Sequence, residues 1–175
     1  MSGQAQAAVS PAWVPAGTWV VDPARSTAGF AVRDKLVTTV HGTFAIASGT
    51  VITGSDGQVV SAVVTLDVAG VSTGNGRRDR DLLKPRFLDA GSHPTIVVEA
   101  GSTATRATGW RVEATLSARG ASAPLVLEVV PTSVEERAVR VRATGRLDRT
   151  GLGLAVPTFV VGRHVEVEVD LVAAR

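Results

Sequence analysis

The chain has 175 residues, a formal net charge of +2, no cysteine and 45% hydrophobic residues. Its length suits one domain with a single core, and the missing cysteines exclude disulfides and thiolate metal sites. The sequence pI of about 9.9 overstates the basic character, because almost no group titrates between His and Lys. Since Arg77, Arg78 and Arg80 alternate with Asp79 and Asp81, we expect no nucleic-acid partner.

The first residues are rich in Ala, Gln and Pro, so we expect residues 1–16 to form a flexible tail ahead of one domain over residues 17–175. Trp13 either pins this tail to the domain or stays exposed. The tail lacks a basic stretch and an apolar run long enough for a secretory signal. No segment is apolar for long enough to span a membrane. We therefore expect a cytoplasmic protein without stable membrane insertion.

Most of the chain consists of short segments in which apolar and polar residues alternate, separated by turn residues. This pattern predicts strands over residues 19–21, 28–33, 36–47, 50–53, 59–68, 95–100, 110–118, 124–130, 139–144 and 165–171. Turns are predicted at 34–35, 48–49 and 54–57. Gly42 shares a face with Val40 and Phe44, which indicates a bend or a close backbone approach.

Three strands carry further information. The strand over 59–68 is apolar on both faces, which predicts that its outer face is covered, for example by residues 78–88, and leaves a homodimer open. In the last two strands, apolar residues alternate with arginines in one and with carboxylates in the other. If these strands are neighbours, each opposite-charge pair adds about 0.2–1 kcal/mol and helps fix the register.

The longest interruption of the strand pattern is the stretch from Thr73 to Pro94. Gly74, Asn75 and Gly76 open it with turn chemistry. A short helical excursion is predicted near residues 77–89, limited by Pro85, which has no N–H to donate. Its leucines and Phe87 are apolar among charged residues, so one side of the excursion is expected to pack against a core.

Several motifs of this stretch resemble the central signature of the YceI-like, polyisoprenoid-binding family. They are Thr73-Gly-Asn, Arg78-Asp79, Leu82-Leu83, Phe87-Leu-Asp-Ala90 and His93-Pro94, with His93 where the family usually has Tyr. Flanking matches follow in the family's order: Gly17 to Asp22 with Ser26, Phe30 to Arg33, Val40 to Phe44, Leu116 to Gly120, Asp148-Arg149 and Gly151-Leu152. The resemblance covers the chain from about Gly17 to the C-terminus.

About eight or nine of these segments are taken as separate short alternating strands, and with almost no helix they predict an antiparallel sandwich or barrel. The resemblance implies the barrel: an all-β, antiparallel, lipocalin-like barrel of about eight strands with a long apolar cavity. It also implies the function, which is non-catalytic binding, transport or storage of an isoprenoid or another long apolar amphiphile, such as a polyprenyl phosphate or a quinone. Members of the family are often exported.

Catalytic and metal-binding patterns are weak. His41, His93 and His164 are the only histidines, and none has a metal-ligand spacing, so we expect no metal site and no cofactor. No Gly-x-Ser-x-Gly motif is present, and we expect no catalytic residue. The alternative is an enzyme that acts on a lipid in the same cavity, with His41 or His93 as the acid or base.

The predicted ligand contacts are the larger apolar residues of the inward faces, because burial of a hydrocarbon chain needs few polar groups. They are Phe30, Val32, Phe44, Leu82, Phe87, Ile96, Val98, Leu116, Leu127 and Phe159. Arg78 and Asp79 either hold a polar headgroup at the cavity mouth or fasten the excursion to the barrel, and we favour the structural role. Arg119 and Arg149 match family positions and are interpreted as turn or mouth residues.

Overall fold

A computed structural model describes residues 9–34, 37–154 and 161–175. These residues form nine strands and one α-helix, α1 (Gly76–Leu82). The strands are β1 (Gly17–Val21), β2 (Thr27–Asp34), β3 (Thr38–Thr53), β4 (Val59–Ser72), β5 (Thr95–Thr105), β6 (Trp110–Ala118), β7 (Ala121–Val134), β8 (Ala138–Asp148) and β9 (Val161–Ala174). The predicted positions Lys35, Leu36 and Phe159 lie outside the described residues. No helix in the described ranges is long and apolar enough to cross a bilayer.

All strand pairs are antiparallel, and the sheet closes on itself. The order around the wall is β3-β2-β9-β8-β7-β6-β5-β4, and β4 pairs with β3 again. β1 pairs with both β3 and β9, as β2 does. β1 and β2 therefore occupy one position in the wall, end to end, separated by the 3-10 turn Pro23–Arg25. The result is a closed barrel with eight positions, which confirms the predicted antiparallel barrel of about eight strands.

The outer faces of β8 and β9 carry the predicted rows of opposite charge. Arg140 donates two hydrogen bonds of 2.9 Å to the carboxylate of Asp170. Two further ion pairs continue the row, with Nε–Oε1 distances of 3.7 Å for Arg142–Glu168 and 3.2 Å for Arg146–Glu166. This prediction is confirmed. Exposed pairs of this kind stabilise a fold only slightly, but a slip by one residue would turn every charge toward the interior, so they help fix the register.

The predicted turn at Ser48 and Gly49 is wrong, because β3 runs without interruption from Thr38 to Thr53. A bulge lies there instead: Ile46 pairs with Leu66 and Ser48 with Thr65, so Ala47 is an extra residue on β3. Gly49 is needed for packing rather than for a turn. A Cβ at this position would come within 2.7 Å of the Val21 side chain.

The outer face of β4 is not covered in the part of the chain that the structure describes, which corrects the prediction that residues 78–88 cover it. Val60 is 62% exposed and Val63 is 37% exposed. Ile52 pairs with Ser61 and Thr53 with Val59, so Val60 is the extra residue of a second bulge and points outward. Residues 78–88 lie at one end of the barrel instead. Whether a second copy of the chain covers β4 stays a prediction.

The N-terminal segment differs from the expected tail where the structure describes it. Pro11 and Val14 are buried, and the Val9 N–H donates to the carbonyl of Pro131 at 2.8 Å. Pro11 lies so close to Gly57 that a Cβ there would overlap the Pro11 carbonyl. Trp13 is 71% exposed, so the second of its two alternatives holds. Residues 9–16 thus close the end of the barrel opposite α1, and Val14 rather than Trp13 holds them.

Candidate ligand-binding lumen

The interior of the barrel holds two apolar chambers. The upper chamber lies at the α1 end and has a volume of about 250 Å³, with Phe44, Leu82 and Leu152 among its walls. The lower chamber has a volume of about 120 Å³ and lies above residues 9–16, against Trp19 and Trp110. Five side chains line both chambers, and we call them the waist ring: Val64, Val98, Leu127, Ala143 and Leu171. The chambers therefore meet end to end along the barrel axis.

The interior is hollow because small aliphatic residues dominate the inward faces. Alanine and valine stand at many positions where leucine or phenylalanine would fill the centre. The larger rings pack against the wall: Phe30 and Phe44 are 5.3 Å apart between ring centroids. A Cβ at Gly42 would overlap the Phe30 ring. Gly42 is therefore a position of close approach, but a side-chain ring and not the predicted backbone comes close to it.

The structure places nine of the ten predicted lining residues on the wall of the upper chamber. They are Phe30, Val32, Phe44, Leu82, Phe87, Ile96, Val98, Leu116 and Leu127. Phe159 lies outside the described residues. That these side chains contact a ligand stays a prediction. In the lower chamber, sequence reasoning named only Val98 and Leu127 and missed Trp19 and Trp110, which each begin or nearly begin a strand. The only signal was the rarity of such large side chains in this chain.

The mouth of the upper chamber is covered by α1 and the loop that follows it. The Asn75 side chain accepts a hydrogen bond from the Arg78 N–H at 3.0 Å and caps the helix. The Leu88 N–H donates to the carbonyl of Leu82 at 2.9 Å and folds the loop back. Leu82, Phe87 and Leu88 consequently turn toward the upper chamber. The excursion packs its apolar side against the barrel, as its sequence predicts.

Arg78 and Asp79 are brought to Thr73 rather than to the lumen. Arg78 donates from Nε to the Thr73 hydroxyl at 2.8 Å and from Nη2 to its carbonyl at 3.0 Å. Asp79 accepts from the Thr73 N–H at 2.9 Å and from its hydroxyl at 2.6 Å. Neither residue lines a chamber. These contacts support the structural role that the sequence favoured over a headgroup site.

Arg119 ties together the two segments that border the mouth. It occupies the two-residue turn between β6 and β7 with φ of 47°, followed by Gly120 with φ of 75°. Its guanidinium donates to the carbonyls of Leu152 and Gly153 at 3.1 and 2.9 Å and to that of Pro85 at 3.2 Å. Arg119 thus links the loop after α1 to the turn after β8, and its sequence interpretation as a turn or mouth residue agrees with this place.

Replacing Arg119 with asparagine is expected to loosen the mouth without unfolding the barrel. Asparagine tolerates the left-handed backbone of this position but cannot bridge the two segments. Hydrogen exchange measured by mass spectrometry should accelerate in residues 84–90 and 152–154, while the unfolding midpoint changes little. Arg111→Asn on the same hairpin, where the arginine only pairs with Glu128 at the surface, is the matched control. Unchanged exchange in both segments would contradict the bridging role.

Arg149 is the one charged side chain on the wall of either chamber among the described residues. It is only 3% exposed. It donates to the carbonyls of Gly162 and Val161 at 2.7 and 2.6 Å and to that of Leu154 at 3.4 Å. Burial lowers the pKa of this guanidinium, and the neighbouring Asp148 acts in the opposite direction. Arg149 therefore fastens the turn after β8 to the start of β9, beside the upper chamber.

Asp148 caps the turn that carries Arg149. The Thr150 hydroxyl, the Arg163 guanidinium and the Thr150 N–H lower its pKa from 3.8 to about 2. Because the folded-state pKa is depressed, this carboxylate stabilises the fold above its unfolded pKa, and that contribution is lost as the pH falls through the folded value.

We therefore expect the melting temperature of the native chain to exceed that of Asp148→Asn near neutral pH. The difference should shrink between about pH 4 and pH 2, the range set by the two pKa values. Thermal melts of both proteins across this range check the prediction. Thr150→Val removes the largest cause of the pKa shift and should flatten the dependence. A difference that stays constant down to pH 2 would show that Asp148 does not titrate with folding.

The histidines are not assembled into a catalytic group. Neither His41 nor His93 lies on the wall of either chamber. His41 is exposed on the outer face of β3, and the His93 ring packs over Gly120, where a Cβ would come within 3.1 Å of it. No group of three potential metal ligands occurs within the described ranges. The geometry gives no support to His41 or His93 as an acid or base acting in the lumen.

A closed antiparallel barrel around an apolar lumen, with one end capped by the N-terminal segment and the other covered by a short helix, defines the class of lipocalin-like β-barrels. Within that class, this chain belongs to the family of YceI-like domains, whose family model matches residues 19–173. This confirms the family that the motifs between Thr73 and Pro94 indicate. No curated protein matches the chain.

Solved structures share the fold at low sequence identity. BcnA of Burkholderia cenocepacia is 18% identical, with a TM-score of 0.78 over 88% of this chain and 99% of its own. A polyisoprenoid binding domain from Saccharophagus degradans, implicated in plant cell wall breakdown, is 16% identical, with a TM-score of 0.71 over 89% and 97%. The YceI protein of Campylobacter jejuni is 18% identical, with a TM-score of 0.70 over 79% and 86%.

Proposed function

We propose that this protein binds an isoprenoid or another long apolar amphiphile without covalent chemistry, for its transport or storage. The observation that carries the proposal is the pair of chambers, whose walls are aliphatic and aromatic side chains apart from Thr53 and Arg149. Such walls have few groups that could form hydrogen bonds with a sugar or a nucleotide, whereas they suit a hydrocarbon chain. The name of the Saccharophagus degradans relative, a polyisoprenoid binding domain, agrees with this ligand class.

The affinity would come from burial of the tail. Each methylene group taken from water into the lumen contributes about 0.8 kcal/mol. The tail would pass the mouth, fill the upper chamber and reach through the waist ring toward Trp19 and Trp110. The headgroup would stay at the mouth beside residues 78–87, where Lys84 and Arg86 are exposed and can meet the charge of a polyprenyl phosphate. A quinone head would need no such charge, so both classes fit the proposal.

Native mass spectrometry of the gently purified protein tests this function. We expect an added mass that is lost on denaturation and is found in the lipid fraction of an organic extract. The delipidated protein should take up a quinone or a polyprenyl phosphate at a ratio of one per chain. A protein that is empty when purified and takes up neither class would contradict the proposal. The cytoplasmic location and the absence of catalysis stay predictions.

A further inference from the structure

The lumen is too small for the longest ligands of the proposed class. A methylene group is comparable in size to a water molecule, which needs about 10–15 Å³ of such cavity volume, so together the two chambers hold roughly 25–35 carbons. A tail of more than about seven isoprene units exceeds this capacity. Because residues 9–16 close the lower end, such a tail must either leave part of its length at the mouth or leave the barrel elsewhere.

The wall of the lower chamber has one incomplete seam between neighbouring strands. β4 and β5 are paired only from Val63 with Glu99 to Asp67 with Thr95, although both strands continue past Val63 and Glu99. At the far end the Thr103 hydroxyl donates to the Val59 carbonyl at 2.9 Å. Between these two points, residues 60–62 and 100–102 face each other without ladder pairs. We call these six residues the β4–β5 seam.

The seam borders the lower chamber and is made of small side chains. Ala62 and Ala100, one from each side of the seam, line the chamber. Both strands are also irregular here: Val60 is the bulged residue of β4, and the register of β5 with β6 shifts between Ala100 and Thr103. Strands without ladder hydrogen bonds separate at a lower cost than paired ones. The seam is therefore the part of the lower wall that opens most readily.

The outer surface beside the seam differs from the rest of the barrel. β1, β3 and β4 lie side by side, and their sequences contain one carboxylate, Asp67, and no lysine or arginine. Val20, Ile52, Val60 and Val63 are exposed on this face. β8 and β9 carry the Arg–carboxylate rows instead. An exposed apolar strip that continues from an apolar chamber suits the same kind of ligand.

We propose that the β4–β5 seam is an exit port for the distal end of tails that are longer than the lumen, and that the strip of Val60, Val63 and Ile52 binds the emerging hydrocarbon. This inference rests on the proposed function and extends it to the longest members of the ligand class. Their headgroup stays at the mouth, and their tail runs through both chambers and leaves through the β4–β5 seam.

A reversible cross-link across the seam tests the port, because the chain has no cysteine of its own. The pairing at Val63 with Glu99, extended along both strands, brings Val60 opposite Ser102. The variant V60C/S102C, oxidised, should bind a quinone with a polyisoprenoid tail at least tenfold more weakly than its reduced form. Decylubiquinone, with its short tail, should bind both forms alike. The cross-link E113C/V126C, on the fully paired β6 and β7, is the control and should affect neither ligand.

The outcomes separate the port from the proposed function. Equal affinity of the oxidised and reduced V60C/S102C for the long quinone would overturn the port, and so would a native protein that binds only decylubiquinone. A native protein that binds neither quinone nor a polyprenyl phosphate would overturn the proposed function and the port with it. A second measurement needs no disulfide: a long tail with a diazirine near its distal end should label residues 59–63 or 100–103 on irradiation. Labelling confined to the upper chamber or the mouth would overturn the port.

Discussion

Replacing Ala143 with phenylalanine is expected to weaken the binding of long-chain amphiphiles while short-chain ones bind as before. Ala143 is the smallest member of the waist ring and is buried. A phenyl ring there fills the passage between the two chambers, so a tail can occupy only the upper one. Each methylene group that is excluded forfeits about 0.8 kcal/mol, so the loss of three lowers affinity roughly fiftyfold. Titration with a homologous series of quinones measures the effect.

The control for this variant is Ala69→Phe, which adds the same ring to an exposed position of β4. It should leave the affinity for every chain length unchanged. Ala143→Phe itself is expected to lose about 1–3 kcal/mol of folding stability, as overpacked interiors do, so its fold should be verified by circular dichroism. Equal weakening of short and long chains would show that the waist ring does not divide the lumen.

Replacing Arg149 with leucine is expected to cause the largest loss of stability of any single arginine substitution in the described part of the chain. Leucine keeps much of the apolar volume beside the upper chamber but leaves the carbonyls of Val161, Gly162 and Leu154 without the guanidinium. A hydrogen bond from a charged group contributes about 1.5–3 kcal/mol. We therefore expect the free energy of unfolding in urea to fall by about 3 kcal/mol or more.

Two further variants make the result specific. Arg149→Lys should recover only part of the stability, because an ammonium cannot reproduce the planar fork of donors. Arg146→Leu removes an arginine that is 62% exposed and pairs with Glu166 at the surface, and it should change stability by less than about 1 kcal/mol. Similar losses for Arg146→Leu and Arg149→Leu would contradict the role of the buried guanidinium.

The barrel itself was predictable because its causes are local. Alternating apolar and polar residues over β6, β8 and β9 fix which face is inside, and the charged rows of β8 and β9 fix their pairing. The lining of the upper chamber follows from the same alternation. The motifs between Thr73 and Pro94 added the family, which decided between a sandwich and a barrel where periodicity could not.

The features that escaped prediction depend on contacts between distant parts of the chain. The sequence indicated a turn at the bulge of Ala47 because Ser48 and Gly49 are common turn residues. Gly49 is needed for another reason, since a Cβ at this position would overlap the Val21 side chain of the neighbouring strand. Val14 packs against a chamber formed by several strands. The sequence around Val14 contains no pattern that predicts this contact. The bulge at Val60 turns this side chain outward, since one extra residue shifts the alternation of the strand to the opposite face.

The measurement that tests the hollow barrel most directly is quenching of Trp19 and Trp110 by a brominated fatty acid, in a Trp13→Phe background that removes the exposed tryptophan. Both remaining indoles line the lower chamber. Bromines placed near the methyl end of the chain should quench them strongly and saturably, and bromines placed next to the carboxylate should quench them weakly. Weak quenching by both probes at saturation, or stronger quenching by the bromines beside the carboxylate, would contradict a tail that runs from the mouth through the waist ring.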